Sequence, residues 1–215
     1  LPIQNLDGTW TPGEWVTAEG PLVVCKNGVH LCREGDLLDW IEVTLYEAKT
    51  DGVELIEADH KVVVRRARLV REIIAWNERT ARLFACDCAE VVLPLWEAWT
   101  PDDARPRETI GVARRFARGE ATVKELDTAR VAAGAAARVT AGAAAWTTAG
   151  DAAGAAAWAA AWAAGAAGAA GAAGATRAAA WAAAGVTARA AARAEQLRML
   201  LKYLRGEEAT DGGPD

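Results

Sequence analysis

From Leu126 to Leu197 the chain is mostly alanine, and the residues that interrupt the alanine fall on a strict beat. Leu126, Arg130, Gly134, Arg138, Gly142, Trp146, Gly150, Gly154, Trp158 and Trp162 stand four apart. The step shortens to three through Gly165, Gly168, Gly171, Gly174 and Arg177, then returns to four through Trp181, Gly185, Arg189, Arg193 and Leu197. Alanine is the strongest helix former, and no proline breaks the run. On an α-helix a step of four overshoots one turn by about 40°, and a step of three undershoots by about 60°. A single straight helix would carry its special residues around its whole circumference rather than along one apolar side. Two arrangements fit: two or three helices that each present a short arc, or one wound helix touching neighbours on several sides. Each glycine inside a helix costs about 1 kcal/mol relative to alanine. The nine in this stretch make sense if backbones approach closely and indole rings fill the gaps between them. The three-residue spacing of Gly165 to Gly174 also fits a turn region or an extended threefold helix, but the alanine content favours α-helix. Such a stretch specifies an architecture; it offers no acid, base or nucleophile.

The 215 residues suffice for one or two domains with a real core, and large side chains are concentrated in ten tryptophans. A net charge of −5 gives no general attraction to nucleic acid or anionic membranes. Four cysteines without a dense framework point to reduced thiols and an intracellular setting. Leu1 to Trp10 lacks the basic and apolar regions of a secretory signal, and without an initial methionine the start is expected to be incomplete or processed. Ala152 to Thr176 is uncharged and long enough to span a bilayer. Alanine and glycine gain little in lipid, however, so helices packed against protein are expected instead of a membrane span.

Along the chain, residues 1–21 read as an irregular arm docked by Trp10 and Trp15. Residues 22–73 read as a small, mainly antiparallel α+β domain. Its expected parts are a strand at Leu22–Cys25, an extended piece at Val29–Cys32 and a short helix capped by Asp36. A strand at Glu42–Lys49 turns through Asp51-Gly52 into Val53–Glu57 as a hairpin, and Lys61–Val70 closes the sheet. Residues 74–205 read as a helical bundle or hairpin rich in Ala, Trp and Gly. Asn77 caps its first helix, whose core face is marked by Phe84, Cys88, Val91, Leu95 and Trp99, with Pro94 kinking or splitting it. The next helix, with Ile110, Ala113 and Ala117 on its apolar side, ends at Gly119. Thr122 and Glu125 form a capping box that opens the alanine-rich part, and Asp151 and Thr176 are candidate internal caps. Residues 206–215 read as a disordered tail.

Two stretches resemble known families. Cys25-Lys-Asn-Gly-Val-His-Leu-Cys32, with Leu37-Leu38-Asp39-Trp40, Tyr46-Glu47-Ala48 and Lys61-Val62-Val63, resembles an uncharacterised phage and bacterial domain. That domain carries a Gly-x-His-x-Cys motif. Ala81-Arg-Leu-Phe-Ala-Cys-Asp-Cys-Ala89, with Leu93-Pro94-Leu95, Pro101-Asp102-Asp103, Arg105-Pro106-Arg107 and Phe116-Ala-Arg-Gly119, is similar to the helical immunity proteins of bacterial toxin systems. The second resemblance implies toxin neutralisation and helices rich in alanine, without naming a mechanism.

The chemistry-bearing residues offer few sites. Cys25, His30, Cys32 and His60 could supply four zinc ligands, since His30 and Cys32 point to one side of an extended segment. Their spacing matches no standard module, so a small buried cysteine pair and a histidine fixing a turn are expected instead. Cys86 and Cys88 lie about 200° apart on a helix and read as core thiols. An enzyme alternative, similar to ADP-ribosyltransferases, would use His30 as a substrate contact and Glu47 or Glu54 as the carboxylate, but no matching Arg or Ser-Thr-Ser motif accompanies them. Arg65, Arg66, Arg68, Arg71, Arg79 and Arg82 form a basic run that could meet phosphates but more often pairs with nearby glutamates. The reading is therefore a non-enzymatic binding protein without cofactor or nucleic-acid partner, taking a toxin or copies of itself. The expected contact is the Trp and Gly helical surface, with Trp146, Trp158, Trp162, Trp181, Gly150 and Gly154. A self-assembling phage or filament protein is the structural alternative.

Overall fold

The computed structural model describes residues 10–42, 44–143, 169–182 and 185–207. The fold is α+β, with antiparallel sheets in residues 15–72 followed by helices in residues 78–204. The chain divides into two compact units, Leu1–Ile74 and Ala75–Asp215.

The first unit has six short strands among its described residues: β1 (Trp15–Thr17), β2 (Val29–Leu31), β3 (Tyr46–Thr50), β4 (Leu55–Ala58), β5 (Lys61–Val64) and β6 (Arg66–Glu72), with a 3-10 helix at Glu34–Asp39. They form two three-stranded antiparallel sheets, ordered β1-β6-β3 and β2-β5-β4. The central strands β5 and β6 are consecutive, broken only at Arg65. Side chains alternate along a strand, so neighbouring valines feed different clusters. Val63 packs with Ala18 and Leu22, while Val64 packs with Val29 and Ala67. At the break, the Arg65 guanidinium forks onto Glu54 at 2.8 and 2.9 Å and donates to the carbonyls of Ala18 and Gly20. Gly28 precedes β2 with φ +128, and a Cβ there would sit 2.3 Å from Val63 Cγ1, so no other residue fits without movement.

Several expectations for this unit are corrected. Asp51-Gly52 makes a turn, with Val53 N–H donating to Asp51 Oδ1, but not a hairpin. The strands on either side, β3 and β4, belong to different sheets. The hairpin is β4–β5, turning through Asp59 and His60. The Lys61–Val70 stretch supplies the two central strands rather than a closing one. Leu22–Cys25 is not a strand but a tight turn, bridged between Val23 and Asn27, with Cys25 at φ +62. The arm contains β1, and Trp10 packs on the cluster of Val29, Val64 and Ala67 inside its own unit. Asp36 lies within the 3-10 helix, whose N-cap is Arg33.

The second unit has five described helices: α1 (Glu78–Trp99), α2 (Arg105–Ala117), α3 (Val123–Ala143), α4 (Ala169–Ala182) and α5 (Gly185–Leu204). Asn77 caps α1 through a reciprocal pair: Thr80 N–H donates to Asn77 Oδ1 and Asn77 N–H to Thr80 Oγ1. The helix runs on through Pro94 without a break. α2 ends in a Schellman motif, where Gly119 N–H reaches Phe116 O and Glu120 N–H reaches Arg115 O. Gly119 stands at φ +79, which glycine adopts without steric cost. Gly206 and Glu207 close α5 in the same manner on Tyr203 and Lys202. Thr122 and Glu125 open α3 as the expected capping box.

α1 is the centre, packing against α2, α4 and α5, while α3 packs on α2. Its buried side includes Ala81, Ala85 and Ala89 at steps of four, and α4 buries Ala175, Thr176 and Ala179. With side chains this small, neighbouring backbones come close and dispersion contacts accumulate. Thr176 is thus an interior residue, not a cap, and its carbonyl accepts a 3.0 Å bond from buried Gln196 of α5. Aromatic rings tie the ends of the unit together, with Phe84 edge-to-face against both Trp76 and Tyr203 at 6.0 Å. No helix among the described residues is long and apolar enough to cross a membrane.

Candidate protein-binding surface

The second half of α1, Val91-Val92-Leu93-Pro94-Leu95-Trp96-Glu97-Ala98-Trp99, carries too many apolar residues for one buried stripe. Val92, Leu93 and Trp96 enter the core, where the Trp96 indole donates a 2.8 Å bond to the Asp103 carbonyl. Val91, Pro94, Leu95, Ala98 and Trp99 remain exposed. Their spacing of i, i+3, i+4, i+7 and i+8 places them on one face of the helix. Periodicity alone assigned Val91, Leu95 and Trp99 to the core; the structure leaves them 58%, 41% and 40% exposed. The signal for this second face was the width of the apolar arc, since Cys88 can continue either to Val91 and Leu95 or to Val92 and Trp96.

The exposed face stands on a rigid base. Arg114 of α2 reaches back to α1, pairing with Asp87 at 2.7 Å and Glu90 at 2.5 Å. Tyr203 of α5 donates a 2.6 Å bond to the other Asp87 oxygen. Burial and the bond to Asp87 push the Tyr203 hydroxyl well above its usual range. Burial pushes the Cys86 thiol up to about 12 and raises Cys88 well above its ordinary value. Such thiols are poor nucleophiles at neutral pH, so this network holds three helices together and does not supply covalent chemistry. Burial also lowers the pKa of Arg82, whose guanidinium lies 4.8 Å over the Phe116 ring. Between α2 and α3 a cleft of about 370 Å³ has Val112, Ala129 and Ala132 among its walls and Glu108 and Lys124 on its lining. Thr109 crosses it to donate to the Ala129 carbonyl at 2.9 Å.

Of the residues singled out in the sequence, Trp181 of α4 is 67% exposed. Trp146, Trp158, Trp162, Gly150, Gly154 and Asp151 lie outside the described residues. Three of the four candidate zinc ligands have other partners. His30 Nε2 accepts from the Cys25 N–H at 2.9 Å and its Nδ1 faces the Gly28 carbonyl at 2.9 Å, so both ring nitrogens brace the turn. Cys25 is exposed rather than paired with half-buried Cys32, and its sulfur sits 2.7 Å from Lys61 Nζ. His60 faces Asp36 and Asp39 instead, at 3.4 and 3.5 Å. Among the described residues no group of three or more His, Cys, Asp or Glu is placed to hold a metal ion. The carboxylates of the enzyme alternative are engaged as well: Glu47 grips Arg71 and Glu54 grips Arg65.

Residues 72–203 match the family model described as Imm-5 like putative immunity protein. No curated protein and no solved structure matches the chain.

Proposed function

The chain belongs to the Imm-5 like putative immunity protein family, and from that membership we propose that it neutralises a toxin protein by binding it, without catalysis. One observation carries the choice of surface: a helix face of large apolar residues, Val91, Leu95 and Trp99, stands at the surface of the family-matched unit. Covering what remains exposed of each of these half-buried side chains contributes about 1 kcal/mol. Trp99 is of a residue type enriched at binding hot spots. Trp181 is a further anchor on α4, and the proposal extends to Trp146, Trp158 and Trp162 with Gly150 and Gly154 as the rest of the contact. The engaged carboxylates and buried thiols support binding over chemistry.

The test is co-expression of the full chain with each toxin of its own genome, scored by growth and by complex formation in size-exclusion chromatography. The wild type rescues growth with one of them. Leu95→Glu with Trp99→Glu weakens that complex by on the order of tenfold or more while leaving thermal unfolding unchanged. Full rescue by the double variant contradicts this assignment of the surface, and a drop in its melting temperature reassigns the stripe to a structural role.

A further inference from the structure

The first unit carries thirteen acidic and eight basic side chains, so the whole net charge of −5 resides there. Its arginines mostly answer those acids: Arg33 pairs with Glu57, Arg65 with Glu54 and Arg71 with Glu47. Other cations do not. Lys49, Arg66 and Arg68 have no carboxylate partner among the described residues, and the register of the β1-β6-β3 sheet puts them together. Arg68 stands directly between Trp15 on β1 and Lys49 on β3, with Arg66 two residues along its own strand. Alternation therefore places all four side chains on one sheet face, opposite the face where Ala67 and Val16 join the core. The two guanidiniums lie 4.7 and 5.1 Å from the Trp15 ring, which holds their planes while leaving N–H groups free to donate. Arg68 Nε is buried without a hydrogen-bond partner, and such an orphaned donor is costly unless a ligand answers it.

We infer that this face, Trp15 with Lys49, Arg66 and Arg68, binds an extended acidic segment of a partner protein. Alternate side chains of a strand lie roughly 6.6 Å apart, so carboxylates at every second position of the segment match Arg66 and Arg68. Lys49, one strand over, takes a third. Nucleic acid fits less well. The arginines already occupy the indole that would stack a base. This surface lies in the first unit, apart from the α1 stripe, and does not depend on the toxin reading.

The experiment is fluorescence anisotropy of the full chain with a labelled peptide of alternating glutamate and threonine. The same peptide with glutamine for glutamate and a single-stranded oligonucleotide serve as comparisons. The acidic peptide is expected to bind at least about tenfold tighter than the glutamine peptide, with affinity falling as salt rises. Lys49→Gln and Arg66→Gln, both at exposed positions, are each expected to weaken it severalfold without changing the circular dichroism. Absent or equal binding of the two peptides, tighter binding of the oligonucleotide, or unchanged affinity in both variants would overturn the inference.

Discussion

At the scale of single residues, the strongest constraints sit where backbone and packing agree. Gly28 combines a left-handed φ with contact against Val63, so Gly28→Ala is expected to cost about 2–4 kcal/mol. A lower urea midpoint would register this, whereas Gly52→Ala, at an open turn, loses less. Tyr203 ties α5 to Asp87 through a short bond to a charged acceptor. Tyr203→Phe is expected to remove about 1.5–3 kcal/mol, read in the same denaturation experiment. The thiols differ in access. Cys25 is exposed, Cys32 is half-buried with its pKa raised by burial, and Cys86 and Cys88 are buried. A thiol reagent applied to the native chain should therefore label Cys25 first, and Cys86 and Cys88 only on unfolding.

At the scale of elements, local signals were legible wherever the chemistry was local. Asn77, Thr122 with Glu125, and Gly119 each mark a helix end because a side chain or a left-handed φ satisfies nearby backbone groups. Pairing between distant strands was not legible. Asp51-Gly52 turns the chain, but nothing in a turn says whether the next strand returns to the same sheet or crosses to another. Trp15–Thr17 was hidden because three residues are too few to show alternation. On α1 the apolar arc was visible, yet which side of it faces the core depends on α4 and α5. The turn around His30 was anticipated, since its ring braces the Cys25 backbone, while the gathering of Lys49, Arg66, Arg68 and Trp15 follows only from register. Thr122→Ala removes a reciprocal cap and is expected to cost about 1 kcal/mol, seen as lost helical signal near the transition midpoint.

For the whole molecule, charge sets the pH range of stability. Asp103 and Glu97 are held below their usual values chiefly by the side chains of Arg105 and Arg107. Their contribution is complete above the ordinary carboxylate range and is lost as pH falls through the depressed values. On the alkaline side Cys86 and Tyr203 are raised. The unfolded chain then ionises first, so stability declines as pH climbs from about 9, the ordinary thiol value, toward about 12. The described parts of the alanine-rich region also support the reason for its composition: α4 lies against α1 and α5, and the small residues Ala175, Thr176 and Ala179 are buried on it. This close seating shapes the unit whose surface is proposed to meet a toxin. Thermal unfolding of Ala179→Leu beside Arg177→Leu tests it most directly, because Ala179 is buried and Arg177 exposed on the same helix. The interior leucine should lower the melting temperature by roughly 5 °C while the surface leucine leaves it in place; equal melting of the two variants would contradict the close-packed arrangement.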